Sequence, residues 1–194
     1  MDSSKKEGGI VQLVVVLGLI TFVCALLLGV VNGVTKDKIE QNGIETRNAA
    51  MSEIIPNAEF TDVEVPADFA TPADKNQPVV SGVYKATLDG ADAGYCVEVN
   101  PKGFGGALKM IVGINADGTV AGIKVTEASE TPGLGAKAQS DKNWIAQFAG
   151  QPADGSLAVS KDGGTINAIT GATITSRAVT LGVNTAANCV ASLG

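Results

Sequence analysis

Between Ile10 and Val31 polar side chains enter the chain only at Gln12 and Thr21. As a helix rising about 1.5 Å per residue this stretch is about 33 Å long, enough to cross the hydrocarbon core of a bilayer. A secretory signal has a shorter apolar core and a small-residue cleavage site, and no A-x-A pattern follows here. Val23 is also too large to precede a lipid-modified Cys24. The expectation is an uncleaved single-span anchor over residues 10–31, with residues 1–9 on one side of the lipid bilayer and everything else on the other. Lys5 and Lys6 precede the span while Lys36, Lys38 and Arg47 follow it, so flanking charge leaves the direction open.

The remainder of the 194-residue chain has room for one compact domain. Residues 32–56 interleave charges with Ile39, Ile44, Met51, Ile54 and Ile55, the pattern of an amphipathic neck helix, and Pro56 ends it. The proline-containing segment Glu59 to Pro78 reads as an irregular connection with few regular hydrogen bonds. Four strand-like runs follow, Gly82 to Leu88, Gly94 to Asn100, Ala107 to Asn115 and Val120 to Ala128. Asp117-Gly118 between the last two marks a hairpin, with both residues expected at positive φ. Loops in such a meander alternate ends. The loops Gly103–Gly106 and Glu130–Gly135 therefore share one end of the sheet and form two walls of a possible pocket.

Trp144, Ile145 and Phe148 have helical spacing after Ser140 or Asp141 and read as core. Ser156 to Thr170 reads as a strand, an Asp162-Gly163-Gly164 turn and a second strand. Ile174, Ala178, Leu181, Thr185 and Val190 then mark a C-terminal helix. The fold class is α+β: a single N-terminal transmembrane helix, a helical neck, and an antiparallel-sheet domain over residues 57–194 with a C-terminal helix.

The chain has no histidine, which removes histidine triads, histidine metal sites and histidine haem ligation. Cys24, Cys96 and Cys189 are isolated, so the chain contains no C-x-x-C pair or iron–sulfur framework. Cys96 and Cys189 could pair in an oxidising compartment, although two buried free thiols are the more common outcome. A net charge of −6 without a basic stripe points away from nucleic acid as a partner.

Thr170-Gly171-Ala172-Thr173 carries the chemistry. A hydroxyl that is to be esterified by a phosphate needs an unobstructed approach, and Gly171 with Ala172 supply one to Thr173. The helix beginning there would offer free N–H groups and its positive dipole end to the phosphate, with Thr175, Ser176 or Arg177 as further donors. The competing interpretation is that Thr173 is only an N-cap. Gly103–Gly106 lacks the Gly-Lys-Ser/Thr ending of a phosphate loop, and Pro132-Gly133 fits the centre of a type II turn, so each wall could be purely structural.

Together, Thr170–Thr173 with Ile174-Thr175-Ser176-Arg177, the Gly103–Gly106 loop, Ser129-Glu130-Thr131-Pro132-Gly133-Leu134-Gly135 and the apolar N-terminus resemble the covalent-flavin subunits of the Rnf and sodium-pumping NADH:quinone oxidoreductase families. By length and motif order the chain is most similar to the Rnf G-subunit family. The resemblance implies FMN esterified through its phosphate to Thr173, with Thr170, Gly171, Ala172 and Thr175 around the attachment point. Because the two loops share one end of the meander, Phe104, Glu130, Thr131, Leu134 and Gly135 are expected to approach the flavin ring; Lys137 could balance the negative charge of a reduced ring, although a loop lysine is more often only solvated. The family's pattern has Asp three residues before the first Thr, where this chain has Asn167.

The implied function is electron transfer in a membrane-bound ferredoxin:NAD⁺ oxidoreductase that translocates ions, the protein being catalytically incomplete alone. The implied partners are the other Rnf subunits and a flavin transferase acting on FAD. The implied topology has residues 1–9 in the cytoplasm and the flavin domain on the extracytoplasmic face. The alternatives are a C subunit of the sodium-pumping quinone reductase, another extracytoplasmic FMN electron carrier, or a membrane-anchored binding module without flavin.

Overall fold

The computed structural model describes residues 3–193, and the polypeptide divides into two compact units, Met1–Glu45 and Thr46–Gly194. Helix α1 (Ser3–Ile54) belongs to both. In the first unit its apolar residues, from Val11 through Leu17 and Leu28 to Val34, are exposed, and the hydropathy of its best window averages 3.0. A helix apolar all round with nothing packed on it suits a lipid environment. The Thr21 hydroxyl, which would be costly in hydrocarbon, donates to the Gly18 carbonyl at 3.0 Å. No proline interrupts the sequence between Ile10 and Ile54, so the helix runs from the apolar segment into the neck without a break.

The last turns of α1 belong to the second unit. Helix geometry stops at Ile54, Pro56 follows, and Asn57 reverses the chain at φ 63, a conformation that Asn tolerates better than most residues. Five strands then form one antiparallel meander in the order β1 (Glu59–Val63), β2 (Val79–Leu88), β3 (Ala91–Asn100), β4 (Lys109–Asn115) and β5 (Val120–Glu127). Helix α2 (Ala67–Ala70) lies between β1 and β2.

Strand β1 corrects the expectation of an irregular connection. Pro56 and Pro66 flank it rather than interrupt it, and Glu59 to Val63 pair residue by residue with Thr87 to Val83. Strand β2 also begins before Gly82, because a bulge between Val80 and Gly82 absorbs the glycine without ending the pairing. In the β4–β5 turn only Gly118 takes positive φ; the Asp117 carboxylate instead accepts from the Thr119 N–H at 3.0 Å and hydroxyl at 2.6 Å.

Both faces of the sheet are covered. Val83, Val97, Val99, Met110, Val112 and Val125 face Trp144, Phe148, Val179 and Val183. Tyr84, Ala86, Cys96 and Ile111 face Ala50, Met51 and Ile55 from the end of α1. Arg47 adds a cation–π contact, its guanidinium 4.8 Å from the centre of the Tyr84 ring. The helix approaches this face so closely that a Cβ at Gly113 would collide with Ile54 Cγ2. Cys96 and Cys189 lie in the two different clusters, both as buried free thiols. Burial pushes the Cys96 thiol up to about 12 and the Cys189 thiol up to about 11, leaving both poor nucleophiles.

After β5 come α3 (Lys137–Ser140) and α4 (Lys142–Ile145), the latter capped by Asp141, whose carboxylate accepts from the Asn143 and Trp144 N–H groups. Trp144 and Phe148 pack edge to face in the core, as their spacing suggested. Helix α5 (Thr173–Ala191) closes this face. Its buried side is lined by Ala178, Val179, Val183, Ala186 and Cys189, while Ile174 and Leu181 are exposed. The helix is where its spacing placed it, but its core face is rotated from the one that large apolar residues marked.

The two strands expected between Ser156 and Thr170 do not form. The segment has a 3-10 turn (Ser160–Asp162), Gly163 at φ 88, and one bridge between Val159 and Ile166. Side chains replace the missing ladder. Asn184 bonds both the N–H and the carbonyl of Leu157, at 3.0 and 2.8 Å, and the Gln147 side-chain Oε1 accepts from the Asn167 N–H at 2.9 Å. Leu157, Val159, Ile166 and Ile169 are buried by a loop that wraps the core, which accounts for their strand-like spacing.

Candidate functional site

A turn with Gly171 at φ 77 brings the chain to the start of α5. The Ser176 hydroxyl accepts from the Ile169 N–H and donates to the Ala172 carbonyl, both at 2.9 Å, locking this turn from beneath. Upstream, the Trp144 indole N–H donates to the Asn167 carbonyl at 2.7 Å, so the backbone leading into the turn is anchored to the core. The N-cap residue is Ala172, and it has no side-chain oxygen with which to cap the helix. Thr173 is the first residue of α5 and is not its cap. Its half-buried hydroxyl instead accepts from Lys161 Nζ at 3.1 Å.

The glycine-rich loops meet at this end of the sheet, as the meander required. Their link is Glu130, which is only 8% exposed. One carboxylate oxygen accepts from the Gly105 N–H at 3.0 Å and the other from the Thr175 hydroxyl at 2.7 Å. A single side chain thus ties the first loop, the second loop and α5 together. Gly135 has to be a glycine for this contact, since a Cβ there would collide with Glu130 Oε2 and press on Thr175 Oγ1. Pro132-Gly133 forms the expected turn, with Gly133 at φ 77 and the Leu134 N–H donating to the Thr131 carbonyl at 3.1 Å.

The cavity enclosed by these elements has a volume of about 350 Å³ and is lined by Phe104, Glu130, Thr131, Leu134, Gly135, Lys161, Gly171, Ala172, Thr173, Ile174 and Thr175. The structure therefore brings most of the residues singled out from the sequence to one wall. Thr170 and Lys137 are not in that lining; Lys137 is exposed at the start of α3. Lys161 and Ile174 are present and were not anticipated. Lys161 was read as part of a strand-turn-strand, and Ile174 as a core-facing residue of the helix. Ile174 was signalled by its place next to Thr173, whereas Lys161, twelve residues before Thr173, carries no mark in the sequence alone.

Beside the cavity, Arg177 grips Asp162 with two bonds of 2.7 and 2.6 Å. The guanidinium holds the Asp162 carboxyl below its usual range, and the Arg177 pKa is raised in turn. The donor set fits FMN. It offers a hydroxyl able to carry the phosphate, an ammonium beside it, an uncapped helix start, and the apolar side chains of Phe104, Leu134 and Ile174 for the ring.

Comparison with known proteins agrees with this chemistry. Residues 103–188 match the family model of the FMN-binding domain, and residues 9–54 match that of the RnfG N-terminal region. FMN is accordingly the cofactor of this domain. The G subunit of the Na⁺-translocating ferredoxin:NAD⁺ oxidoreductase complex of Acetobacterium woodii is 37% identical, with 95% of each chain covered. The G subunit of the ion-translocating oxidoreductase complex of Cereibacter sphaeroides is 38% identical over 84% of this chain and 76% of its own. Among solved structures, the C subunit of the Na⁺-translocating NADH-quinone reductase of Parabacteroides distasonis is similar at 27% identity and a TM-score of 0.48, covering 67% of this chain and 73% of that one. With two family models matched in order and relatives of this identity along nearly its whole length, the chain belongs to the G-subunit family of ion-translocating oxidoreductase complexes.

Proposed function

We propose that the chain is the electron-transfer component of a membrane-bound ion-translocating ferredoxin:NAD⁺ oxidoreductase, with FMN joined through its phosphate to Thr173. The observation that carries the covalent part is the Thr173 hydroxyl itself. It stands at the cavity wall, at the head of a 19-residue helix, free of any capping duty and next to an ammonium. When bound, the flavin supplies the redox chemistry, and the protein supplies tethering, orientation and exclusion of water. Glu130 fixes the walls, Leu134 and Ile174 present apolar surface, and the helix start faces the phosphate position. In-gel fluorescence of the denatured full chain, produced with its flavin transferase, tests the covalent link, because a reversibly bound flavin is lost on denaturation. A dark band would contradict it.

The Leu134 side chain is expected to pack against the ring. Leu134→Asp should therefore shift the flavin spectrum or midpoint potential while leaving the band fluorescent; an unchanged spectrum and potential would remove Leu134 from the ring contact.

The remaining assignments follow the family. Residues 10–31 span the cell membrane once, 1–9 lie in the cytoplasm, 32–56 form the neck, and 57–194 carry the flavin on the extracytoplasmic face. A covalent bond has a physical rationale there, since a dissociable cofactor is retained only while its free concentration exceeds its dissociation constant. The partners are the other subunits of the complex, and a flavin transferase that cleaves FAD matures the protein. Protease added to sealed right-side-out vesicles should remove the folded domain. Protection there, with digestion in inverted vesicles, would reverse the orientation.

A further inference from the structure

We propose that Lys161 is the phosphate counter-ion and positioning residue of the flavin attachment site, held in place by the Asp162–Arg177 pair. The inference rests on the attachment of FMN to Thr173 and adds a residue that the attachment turn itself does not contain.

Lys161 lines the cavity and its ammonium donates to Thr173 Oγ1 at 3.1 Å. It takes part in no salt bridge among the described residues, whereas Arg177, the other cation of this region, is committed to Asp162 through two bonds. Arg177 lies four residues after Thr173, on the same side of α5 by helical periodicity. By gripping Asp162 it fastens the 3-10 turn Ser160–Asp162 across the first turn of the helix, which delivers the neighbouring Lys161 to the acceptor hydroxyl. Gly163, in the left-handed region, turns the chain away immediately afterwards. The pair and the lysine therefore have different tasks: one fixes the loop, the other supplies a free positive charge.

Attachment forms a bond between Thr173 Oγ1 and the phosphorus of the FMN half of FAD and breaks the phosphoanhydride, releasing AMP; the threonine proton leaves to the transferase or to water. The product diester keeps one negative charge next to Oγ1. An ammonium already bonded to that oxygen orients the hydroxyl before transfer and neutralises the diester after it, and a charge-assisted bond of this kind is about twice as strong as a neutral one.

The test uses the full chain in detergent with FAD and the flavin transferase, comparing wild type with Lys161→Met, Lys161→Gln, Lys161→Arg and Arg177→Met. Two readouts are taken: the initial rate of flavin incorporation and the ³¹P resonance of the attached diester. Lys161→Met and Lys161→Gln should slow incorporation by about tenfold or more, the size of a lost charge-assisted bond, and displace the resonance. Lys161→Arg should recover most of the rate and move the resonance back. Arg177→Met should slow incorporation less, and combining it with Lys161→Met should add nothing, as coupled residues do. Wild-type rate and resonance in the methionine and glutamine variants would overturn the proposal while leaving attachment at Thr173 intact. Slowing that arginine does not relieve would also overturn it, because the charge would then not be the cause. A wild-type chain that takes no flavin at Thr173 would instead remove the parent reading.

Discussion

Thr173→Ala should leave a folded, membrane-inserted protein with no fluorescent flavin after denaturation, and the assembled complex should transfer electrons only at background. The structural cost is small because Thr173 is not the helix cap and its hydroxyl bonds only the exposed Lys161. Losing one hydrogen bond of this partly exposed kind costs at most about 1 kcal/mol. The functional cost is complete because no neighbouring hydroxyl can stand in. Thr175 is buried against Glu130, Ser176 is buried beneath the turn, and Thr170 lies outside the cavity lining. Fluorescence that survives in Thr173→Ala would show that another residue accepts the flavin. Asn167 has its backbone anchored and its side chain exposed, so Asn167→Asp should fold normally and maintain or increase the flavinylated fraction.

Glu130→Ala should destabilise the fold by removing the side chain that joins the two loops and α5. The substitution deprives the Gly105 N–H and the buried Thr175 hydroxyl of their shared acceptor. The Thr175 hydroxyl left buried without a partner costs about 2 kcal/mol, while the exposed Gly105 N–H can turn to water, and in a chain of this size that lowers the melting temperature by roughly 6 °C. Loosening the two loops should also alter the flavin environment, so spectrum and potential should shift along with stability. Glu130→Gln preserves an acceptor for Gly105 and should fall between the two. An unchanged melting temperature in Glu130→Ala would mean that the three elements do not depend on this carboxylate.

The sequence disclosed the sheet wherever alternation and turn chemistry agreed. Strands β2 to β5 and the Asp117-Gly118 reversal were readable because runs rich in Val, Ile and other strand-forming residues are separated by segments containing Asp, Asn and Gly. Strand β1 was hidden by prolines that stand beside it, a case in which composition of a segment masks the pairing of its middle. Ser156 to Thr170 misled in the opposite direction. Its buried Leu157, Val159 and Ile166 imitate a strand, while its backbone is satisfied by Asn184, Gln147 and Ser176, partners that only the folded chain brings near. The candidate site was readable in its topology, since a meander must place both glycine-rich loops at one end. Its charge was not. Lys137 and Lys161 look alike in a one-dimensional reading, and a salt bridge formed fifteen residues apart decides between them.

The most direct measurement is peptide mapping by mass spectrometry of the full chain produced with its flavin transferase. Trypsin should release the segment from Asp162 to Arg177, which contains Thr165, Thr170, Thr173, Thr175 and Ser176, so fragmentation within this one peptide is required. The expected result is a peptide heavier by FMN less one water, with fragment ions that place the added mass on Thr173. FMN on any other residue, or an unmodified peptide from fully matured protein, would contradict the proposed attachment.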